Sequence, residues 1–438
     1  AGIPVALEVS LRIDSLDAEG RGVARTAEGK VVFVEGALPG EEVDFQVLRR
    51  KSSFEIGRLT KVLGGASSRQ APRCPHFGVC GGCSLQHTDA RTQMAAKQRW
   101  LEENLARIGK VEPEPLLPIV YGEDWHYRRR ARLGARYVPK KGGAMVGFRE
   151  KRSSYITDMR ECHVLPGEIS ELITPLRALV EALSIRARLP QIEVAVGDNG
   201  AVLVIRHLDP LTSEDESLMK EFSDRHGVRI WLQPGGPDSA HPFHPRQSDP
   251  HSAELYYTLP EFGLRLFFRP TDFTQVNHGV NRILVARAVR LLDPRPGERV
   301  ADLFCGLGNF SLPLATRGAE VIGFEGSREL VERARLNASF NRLPMQFEVA
   351  DLFKTGIEPY GPFDKLLIDP PREGAVEIVN TLPEGWPRRI VYVSCDPATL
   401  ARDAGVLVHA RGFRLAAAGV VNMFPHTAHV ESIALFEK

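Results

Sequence analysis

The sequence predicts an α/β protein built from three parts, and three observations support that division. Short β-like runs separated by glycines fill residues 5–63, which indicates a small N-terminal barrel. From about residue 271, strand-like runs alternate with helical stretches, as in a Rossmann-like, doubly wound sheet. A mixed α+β region with clustered cysteines lies between them. We therefore place the domains at 1–65, 66–270 and 271–438 of the 438 residues.

The N-terminal barrel is predicted from four runs with β character. These runs are Ala6 to Ile13, Lys30 to Val34, Glu42 to Arg49 and Phe54 to Val62. Small barrels often bind nucleic-acid strands, and this one offers groups for base stacking and phosphate pairing. The groups are Phe33, Phe45, Arg49, Arg50 and Lys51. The phenylalanines also alternate as core residues do, so both interpretations stay open.

Six cysteines fall into two groups. Cys74, Cys80 and Cys83 form Cys-x5-Cys-x2-Cys, and Cys162 is the only other cysteine before the C-terminal third. Without a secretory signal, this spacing is more typical of metal ligands than of disulfides. Zinc and a four-iron cluster both accept four thiolates. The spacing departs from the paired Cys-x2-Cys zinc pattern and favours an iron–sulfur cluster, with reduced structural cysteines as the alternative.

The central domain carries a predicted helix and a basic segment. The helix runs from Asp89 to Ile108, and its apolar residues at helical spacing are Met94, Trp100, Leu101, Leu105 and Ile108. Residues 121–160 hold 11 Lys or Arg against 4 Asp or Glu, although the whole chain has a net charge of +1. Arginines and aromatics interleave in residues 125–133, a combination that favours RNA. The alternative is that these charged residues form the solvent-exposed face of a strand.

Two motifs in the C-terminal domain point to chemistry. Residues 302–310 read as a strand that ends in a glycine turn and opens a helix, as a nucleotide-like cofactor site requires. Cys395 follows the apolar run 391–393, which delivers its thiol into a turn. A nucleophile beside a cofactor suggests covalent group transfer. Cys305, within the glycine turn, is assigned to packing.

The choice of cofactor depends on the glycine turn. A dinucleotide site favours Gly-x-Gly-x-x-Gly, and here Ser311 stands where the third glycine would be. Glu325 and Asp351 follow the next two strands, where Glu325 is placed to accept hydrogen bonds from ribose hydroxyls. Together with Asn309, this pattern favours the phosphate-free, cationic S-adenosylmethionine over NAD.

Membrane insertion is not expected from the sequence. No apolar run approaches the roughly 18 residues that a bilayer span needs. The N-terminus also lacks a basic segment followed by a long apolar one. We therefore expect a cytoplasmic protein.

These motifs resemble those of the RNA uracil-5-methyltransferases, in particular the branch that modifies 23S ribosomal RNA. The resemblance covers nearly the whole chain, and its most specific segments are 302–310, 369–372, 394–403 and 423–432. It implies a TRAM module in residues 5–63, a 23S ribosomal RNA substrate, no DNA partner and a monomeric state.

The same resemblance implies roles for individual residues. Cys395 would be the nucleophile and Glu431 the base. Four cysteines would bind a [4Fe–4S] cluster, namely Cys74, Cys80, Cys83 and Cys162. Six residues would line the S-adenosylmethionine and uridine sites, namely Gln275, Phe304, Asn309, Glu325, Asp351 and Asp369. His426 and His429 are alternative bases.

One residue departs from the family pattern. The family commonly has Asn after the nucleophile, where this chain has Asp396. A carboxylate beside a thiol raises the pKa of that thiol unless the carboxylate is hydrogen-bonded or points away. This substitution puts the activation of Cys395 in question.

Four other functions fit parts of the pattern. A tRNA uracil-5-methyltransferase would share the chemistry. An RNA cytosine-5-methyltransferase usually has a second cysteine in the motif that residues 369–372 occupy here, and this motif has none. A radical S-adenosylmethionine enzyme needs Cys-x3-Cys-x2-Cys, whereas the first gap here is five. A noncatalytic RNA-binding or ribosome-assembly factor is disfavoured by the presence of both Cys395 and Glu431.

Overall fold

A computed structural model describes residues 10–245 and 254–438. The start of the strand expected from Ala6 to Ile13 and the end of the Pro/Gly-rich loop around 234–250 lie outside these ranges. Within them, every helix is too short or too polar to cross a membrane.

The N-terminal strands form a barrel. Their order in the sheet is β1-β5-β6-β4-β3-β2, and their bounds are β1 Leu11–Arg12, β2 Ser15–Leu16, β3 Gly22–Arg25, β4 Val31–Glu35, β5 Glu42–Arg50 and β6 Phe54–Gly64. Residues 11–16 pair with β5 at one end and with β3 at the other, which closes the sheet. Phe45 packs on the barrel core, whereas Phe33 lies under the guanidinium of Arg21. Phe45 therefore fits the interpretation as a core residue, whereas Phe33 fits the interpretation as a group for base stacking.

Helix α1 (Ala90–Asn104) joins the barrel to the rest of the chain. Asp89 caps it, because its side chain accepts a hydrogen bond from the backbone N–H of Thr92. A π-helical turn, Leu105–Gly109, continues the predicted helix. Trp100, Leu101 and Leu105 are buried as expected, but Ile108 is exposed. The helix instead buries two polar residues, Gln93 and Lys97.

The central domain contains a second six-stranded sheet, in the order β12-β11-β10-β9-β7-β8. Its strands are β7 Arg130–Val138, β8 Gly143–Gly147, β9 Gln191–Gly197, β10 Gly200–Arg206, β11 Arg229–Gln233 and β12 His241–His244. Helices α2 (Gly167–Ala182) and α3 (Ser213–His226) cover it. The basic segment supplies strand β7 and the loop before it, so several of its side chains are used inside the protein. Tyr127 is buried, and Arg129 and Arg132 pair with Asp198 and Glu193.

The C-terminal sheet has the predicted doubly wound form. Its order is β17-β16-β15-β18-β19-β21-β20, and its strands are β15 Arg299–Leu303, β16 Glu320–Glu325, β17 Gln346–Val349, β18 Lys365–Ile368, β19 Arg389–Ser394, β20 Arg414–Val421 and β21 Glu431–Glu437. Its helices are α4 His278–Leu292, α5 Ser311–Ala315, α6 Arg328–Phe340, α7 Leu352–Thr355, α8 Val376–Asn380 and α9 Pro397–His409. Strands β15 to β19 are parallel, and β21 runs antiparallel between β19 and β20. The sequence pattern did not identify β20.

A β-hairpin precedes this sheet and is tied to α6. It consists of β13 (Leu255–Leu259) and β14 (Leu264–Phe268). Asn337 on α6 accepts a hydrogen bond from the N–H of Phe267 at 2.8 Å and donates to the Phe267 carbonyl at 3.1 Å. Its amide also donates to the carbonyl of Leu307, in the glycine turn, at 3.1 Å. One buried amide therefore links the hairpin, α6 and the turn after β15.

Replacing Asn337 with alanine is expected to lower the free energy of unfolding by about 2–4 kcal/mol, because the buried backbone groups of Phe267 and Leu307 lose their partners. Urea unfolding followed by fluorescence measures this change. The control is Asn341→Ala, which removes similar bonds to Arg265 from a less buried site and should cost about 1 kcal/mol or less. Equal losses for the two variants would contradict the interpretation.

Candidate active site

One edge of the C-terminal sheet gathers most of the residues that the sequence singled out. Strands β15, β18 and β19 are parallel, so their carboxyl ends lie at the same edge. The residues that follow these strands are Phe304, Asp369 and Cys395. Strand β21 runs in the opposite direction and therefore begins at that edge, with Glu431. This edge forms the candidate active site.

Strand register brings Cys395 and Glu431 together. In the antiparallel pair of β19 and β21, Ser394 stands opposite Ser432. Cys395 comes directly after β19, and Glu431 is the first residue of β21, so both lie next to this pair. The charge of Glu431 contributes to the raised pKa of the Cys395 thiol, as expected for neighbouring groups.

The two acids near Cys395 are held in an environment that favours their protonated forms. Glu431 is only 4% exposed, and burial raises its pKa to about 7. Burial, and then the negative charge of Glu431, raises the pKa of Asp369 well above its usual value. A carboxyl with a pKa near neutrality can both accept and release a proton under physiological conditions.

The thiol of Cys395 is half-buried and has a raised pKa. Burial is the largest cause, followed by the charges of Glu431 and Asp369. Arg372, an exposed residue in the turn after β18, lowers the pKa of this thiol. The sequence analysis included Arg372 in a motif without giving it a role, because only the fold places its guanidinium near the thiol.

The carboxylate of Asp396 has a structural role. It is the N-cap of α9, where it accepts hydrogen bonds from the backbone N–H groups of Ala398 at 2.8 Å and Thr399 at 3.1 Å. Such caps stabilise helices by about 1 kcal/mol, and Asn and Asp perform this role about equally well. Asp in place of Asn next to Cys395 therefore preserves the helix cap.

The glycine turn after β15 has a strained, closely packed backbone. Phe304 has a φ of 64°, a left-handed conformation that is uncommon outside glycine. Gly308 has a φ of 99°, a backbone conformation that residues with a side chain rarely adopt, so glycine is favoured there. Glu325, at the end of β16, accepts hydrogen bonds from the N–H groups of Gly306 and Ser327, each at 3.0 Å. This carboxylate fixes the turn and keeps further acceptor capacity.

The other predicted cofactor residues lie around this turn in different environments. Asn309 exchanges two hydrogen bonds of 2.9 Å with Asn281 and accepts a third, at 2.8 Å, from the hydroxyl of Tyr257. Gln275 is half-buried between β14 and α4. Asp351 is exposed after β17 and forms an ion pair with Lys354. Asn281 and Tyr257 were not identified from the sequence, because neither lies in a recognisable motif.

Cys305 is placed as the sequence analysis expected. It is 5% exposed and packs in the hydrophobic core beneath the glycine turn. Burial raises the pKa of its thiol well above the usual value. A thiol held protonated in this way is a poor nucleophile.

The four N-terminal cysteines surround one small cavity. Its lining includes Cys74, Cys80, Cys83 and Cys162 together with Phe77, Phe148 and Met159. Burial raises the pKa of Cys83 to about 12 and that of Cys162 to about 11. Across residues 10–245 and 254–438, no set of three or more His, Cys, Asp or Glu side chains is arranged to hold a metal ion. Four converging thiols in a mostly apolar pocket are nevertheless a donor set suited to an inorganic cluster.

Of the two histidines considered as bases, His426 is a buried structural residue. It stacks on Trp125 with the ring centroids 3.8 Å apart. Burial lowers the pKa of His426 to about 4. His429 lies two residues before Glu431 on the surface, beside the ring of Phe424.

A cavity of about 580 Å³, here called the interdomain groove, opens beside this edge. It is lined by the barrel, the glycines of the cysteine segment and the loop before Glu431. Its cationic residues are Arg21, Arg128, Arg149, Lys151 and Arg152, and its acidic residues are Glu19, Glu35 and Glu150. The groove has room and charge for an extended anionic chain.

Comparisons with known proteins agree with this geometry. Residues 259–438 match the family described as tRNA (Uracil-5-)-methyltransferase, and residues 7–60 match the TRAM domain. The 23S rRNA (uracil(1939)-C(5))-methyltransferase RlmD of Nitrosospira multiformis is 62% identical over 97% of this chain and 98% of its own length. The protein of the same name from Thiobacillus denitrificans is 60% identical over the same shares.

A solved structure shares the whole architecture. The tRNA (uracil-54, C5)-methyltransferase of Pyrococcus abyssi, determined in complex with S-adenosyl-L-homocysteine, superposes with a TM-score of 0.76 at 24% identity. The match covers 98% of this chain and 99% of that one, which confirms the predicted methyltransferase fold. Given its identity to the curated relatives over nearly their full length, the chain belongs to the RNA uracil-5-methyltransferase family and carries an N-terminal TRAM domain.

Proposed function

We propose that this protein transfers a methyl group from S-adenosylmethionine to carbon 5 of a uridine in 23S ribosomal RNA. The observation that carries the proposal is the placement of Cys395, directly after β19, close to Glu431, the first residue of the antiparallel neighbour β21. The names of the relatives support the substrate, since both are 23S rRNA uracil-C5-methyltransferases. We further propose that the protein acts in the cytoplasm as a monomer, with no DNA partner.

Cys395 is the proposed nucleophile. Carbon 5 of uracil is a poor nucleophile, but addition of a thiolate to carbon 6 moves electron density onto carbon 5 and the carbonyl oxygen. The thiol must first lose its proton to solvent, and Arg372 favours the thiolate. S-adenosylmethionine, when bound, would supply a methyl group on a cationic sulfur that the electron-rich carbon 5 can attack, and S-adenosylhomocysteine would leave with the electron pair of the broken sulfur–methyl bond. Cys395 then remains bonded to carbon 6.

Glu431 is the proposed base that ends the covalent stage. The methylated adduct still carries a proton on carbon 5, and that proton must leave before the ring can recover its double bond. Glu431 takes the proton, the electron pair of the C–H bond forms the double bond between carbons 5 and 6, and the Cys395 thiolate is expelled. Cys395 and Glu431 lie at the adjoining ends of β19 and β21. This placement suits the order of events, because the two residues act on adjacent ring atoms.

The proposed cofactor site lies around the glycine turn. Phe304, Gln275, Asn309, Glu325, Asp351 and Asp369 are its proposed lining residues. Glu325 supports this assignment because its carboxylate sits after β16 with acceptor capacity for ribose hydroxyls. Asn309 is held by Tyr257 and Asn281, so it contributes a fixed amide rather than a mobile one.

The interdomain groove is the proposed path of the RNA strand. Its guanidinium groups suit phosphates, and two of its lining residues, Phe424 and His429, belong to the loop that leads to Glu431. The target uridine must leave its helix or loop to reach Cys395. Trp125 and Tyr127 pack internally, so the arginines rather than these two rings are the proposed RNA contacts.

The cysteine cavity is the proposed site of a [4Fe–4S] cluster. All four thiols converge there, and burial disfavours leaving them as charged, unbound thiolates. Since four ligands would complete the coordination of the cluster, we propose a structural or RNA-positioning role for it rather than redox chemistry.

The proposed mechanism separates the roles of the two catalytic residues. Cys395→Ala is expected to abolish methylation and covalent RNA binding while cofactor binding persists, because Cys305, the other thiol of this domain, is buried in the hydrophobic core. Glu431→Gln is expected to slow turnover by about 100-fold to 10,000-fold and to accumulate a covalent RNA–protein adduct. Denaturing gels with labelled RNA detect the adduct. Cys305→Ala is the control and should still form and release it, whereas normal turnover by Cys395→Ala would refute the mechanism.

Breakdown of the adduct is expected to accelerate as the pH rises through about 7, because burial raises the pKa of Glu431 to about 7 and only its carboxylate form can accept the proton. Single-turnover release of methylated RNA, measured from about pH 5.5 to about pH 8.5, tests this dependence. A release rate that stays constant over that interval would argue against Glu431 as the base.

Anaerobically purified protein is expected to contain about four irons and four acid-labile sulfides per chain. Cys162→Ser should lower the iron content sharply, because Cys162 contributes one of the four thiols that line the cavity. Cys305→Ser, which alters a thiol elsewhere, should leave the iron content unchanged. One zinc per chain, or equal iron in both variants, would contradict the cluster.

The substrate is tested by methyl transfer from labelled cofactor to total RNA, followed by mapping of the labelled base. We expect the label on a uridine of 23S ribosomal RNA, at the position that the relatives' names give as 1939. Label on transfer RNA would favour the second candidate, which the likeness to the Pyrococcus abyssi enzyme supports. Label on cytidine, or no transfer at all, would refute the proposal.

A further inference from the structure

We propose that Gln93 and Lys97, on the buried face of α1, are positioning residues. They hold the loop that precedes Glu431 in the conformation that proton removal requires. This inference rests on the proposed function, because it takes Glu431 as the group that removes the carbon-5 proton. The loop in question, here called the base loop, comprises residues 422–430 between β20 and β21.

The base loop makes few hydrogen bonds of its own. The hydroxyl of Thr427 donates to the carbonyl of Phe424, and the N–H of His429 donates to the hydroxyl of Thr427. The sheet holds the two ends of the loop, since Val421 pairs with Glu431. Between these ends, the structure supplies contacts from residues 84–127, far away in the chain.

Gln93 makes polar contacts with both the backbone and the side chain of His426. The N–H of His426 donates to Oε1 of Gln93 at 2.8 Å, and Nε2 of Gln93 lies 3.1 Å from Nδ1 of His426. His426 has a φ of 65°, a conformation that persists in a non-glycine residue only when its surroundings impose it. Gln93 is 1% exposed, so water cannot easily replace these contacts.

Lys97 lies one turn further along the same face of α1. Its ammonium donates to the side-chain oxygen of Asn422 and to the carbonyl of Phe424, both at 2.9 Å. The side chain is fully buried, and burial lowers the pKa of Lys97 to about 7. Burying an ammonium group is costly, and here both acceptors belong to the base loop. The helix therefore clamps the loop at residues 422, 424 and 426.

Three further hydrogen bonds come from the same part of the chain. The backbone N–H groups of Ser84 and Leu85, next to Cys83, donate to the carbonyl of His426 at 2.9 and 3.0 Å. The hydroxyl of Tyr127 donates to the carbonyl of Pro425 at 2.9 Å. Residues outside the C-terminal sheet therefore hold the base loop in its conformation.

Loosening this clamp should affect one chemical step more than the other. Cys395 is held between β19 and α9, which the base loop does not build, so thiol addition and methyl transfer should continue. Proton removal requires Glu431 at a defined place, and small displacements of a catalytic group can cost about 100-fold in rate. The expected signature is therefore a covalent adduct that forms normally and breaks down slowly.

The test compares Lys97→Met and Gln93→Met with Arg99→Met, which alters the solvent-exposed face of the same helix. Full-length variants are incubated with an RNA fragment that contains the target uridine and with S-adenosylmethionine. Rates of adduct formation and breakdown are measured separately on denaturing gels. We expect formation within about 2-fold of the parent protein and breakdown slowed by about 10-fold to 100-fold in the two clamp variants, with Arg99→Met unchanged.

The outcomes separate this inference from the function on which it rests. Unchanged breakdown in both clamp variants, or an equal loss in formation and breakdown, would overturn the positioning role. Should Lys97→Met fail to fold, Gln93→Met decides the matter alone, since it leaves the buried ammonium and its acceptors in place. Glu431→Gln is run in parallel, and if that variant fails to trap an adduct, the proposed function fails and the clamp with it.

Discussion

The antiparallel pairing of β19 with β21 is the constraint on which the candidate site depends. Because β21 runs against the parallel strands, its first residue lies at the edge where they end. Backbone pairing therefore brings Glu431 to the edge of the sheet that carries Cys395. A slip of one residue in this register would turn the carboxyl to the opposite face of the sheet. Buried apolar residues along β21, such as Ile433 and Phe436, make such a slip costly.

That placement creates an electrostatic conflict at the site. Burial and two neighbouring acids disfavour the thiolate form of Cys395, and the exposed guanidinium of Arg372 opposes them. The same burial brings the pKa of Glu431 close to neutrality, which suits a group that must accept a proton and later release it. Asp396, which could have added a third negative charge, is instead used by the first turn of α9.

Hydrogen bonds between distant segments connect the barrel, α1 and the base loop, in addition to the linkers between the domains. The indole of Trp100 donates to the carbonyl of Leu16 in the barrel, so α1 holds the barrel as well as the base loop. The segment after Cys83 reaches the carbonyl of His426. A structural centre at the cysteine cavity would therefore be coupled to the base loop through only a few residues, which gives the proposed cluster a physical connection to catalysis.

The sequence by itself determined the local features: the parallel strands, the glycine turn, the helix that starts near Asp89 and the family motifs. These depend on periodicity and on residue type over a few positions, which a chain shows without its fold. Only the tertiary structure decided where β21 inserts, what Asp396 bonds to and which face of α1 is buried. Gln93 and Lys97 look like solvent-facing residues in the sequence, because the base-loop groups that they contact lie more than 300 positions away. Local sequence is compatible with several strand orders and helix orientations, and contacts between residues far apart in the chain select one of them.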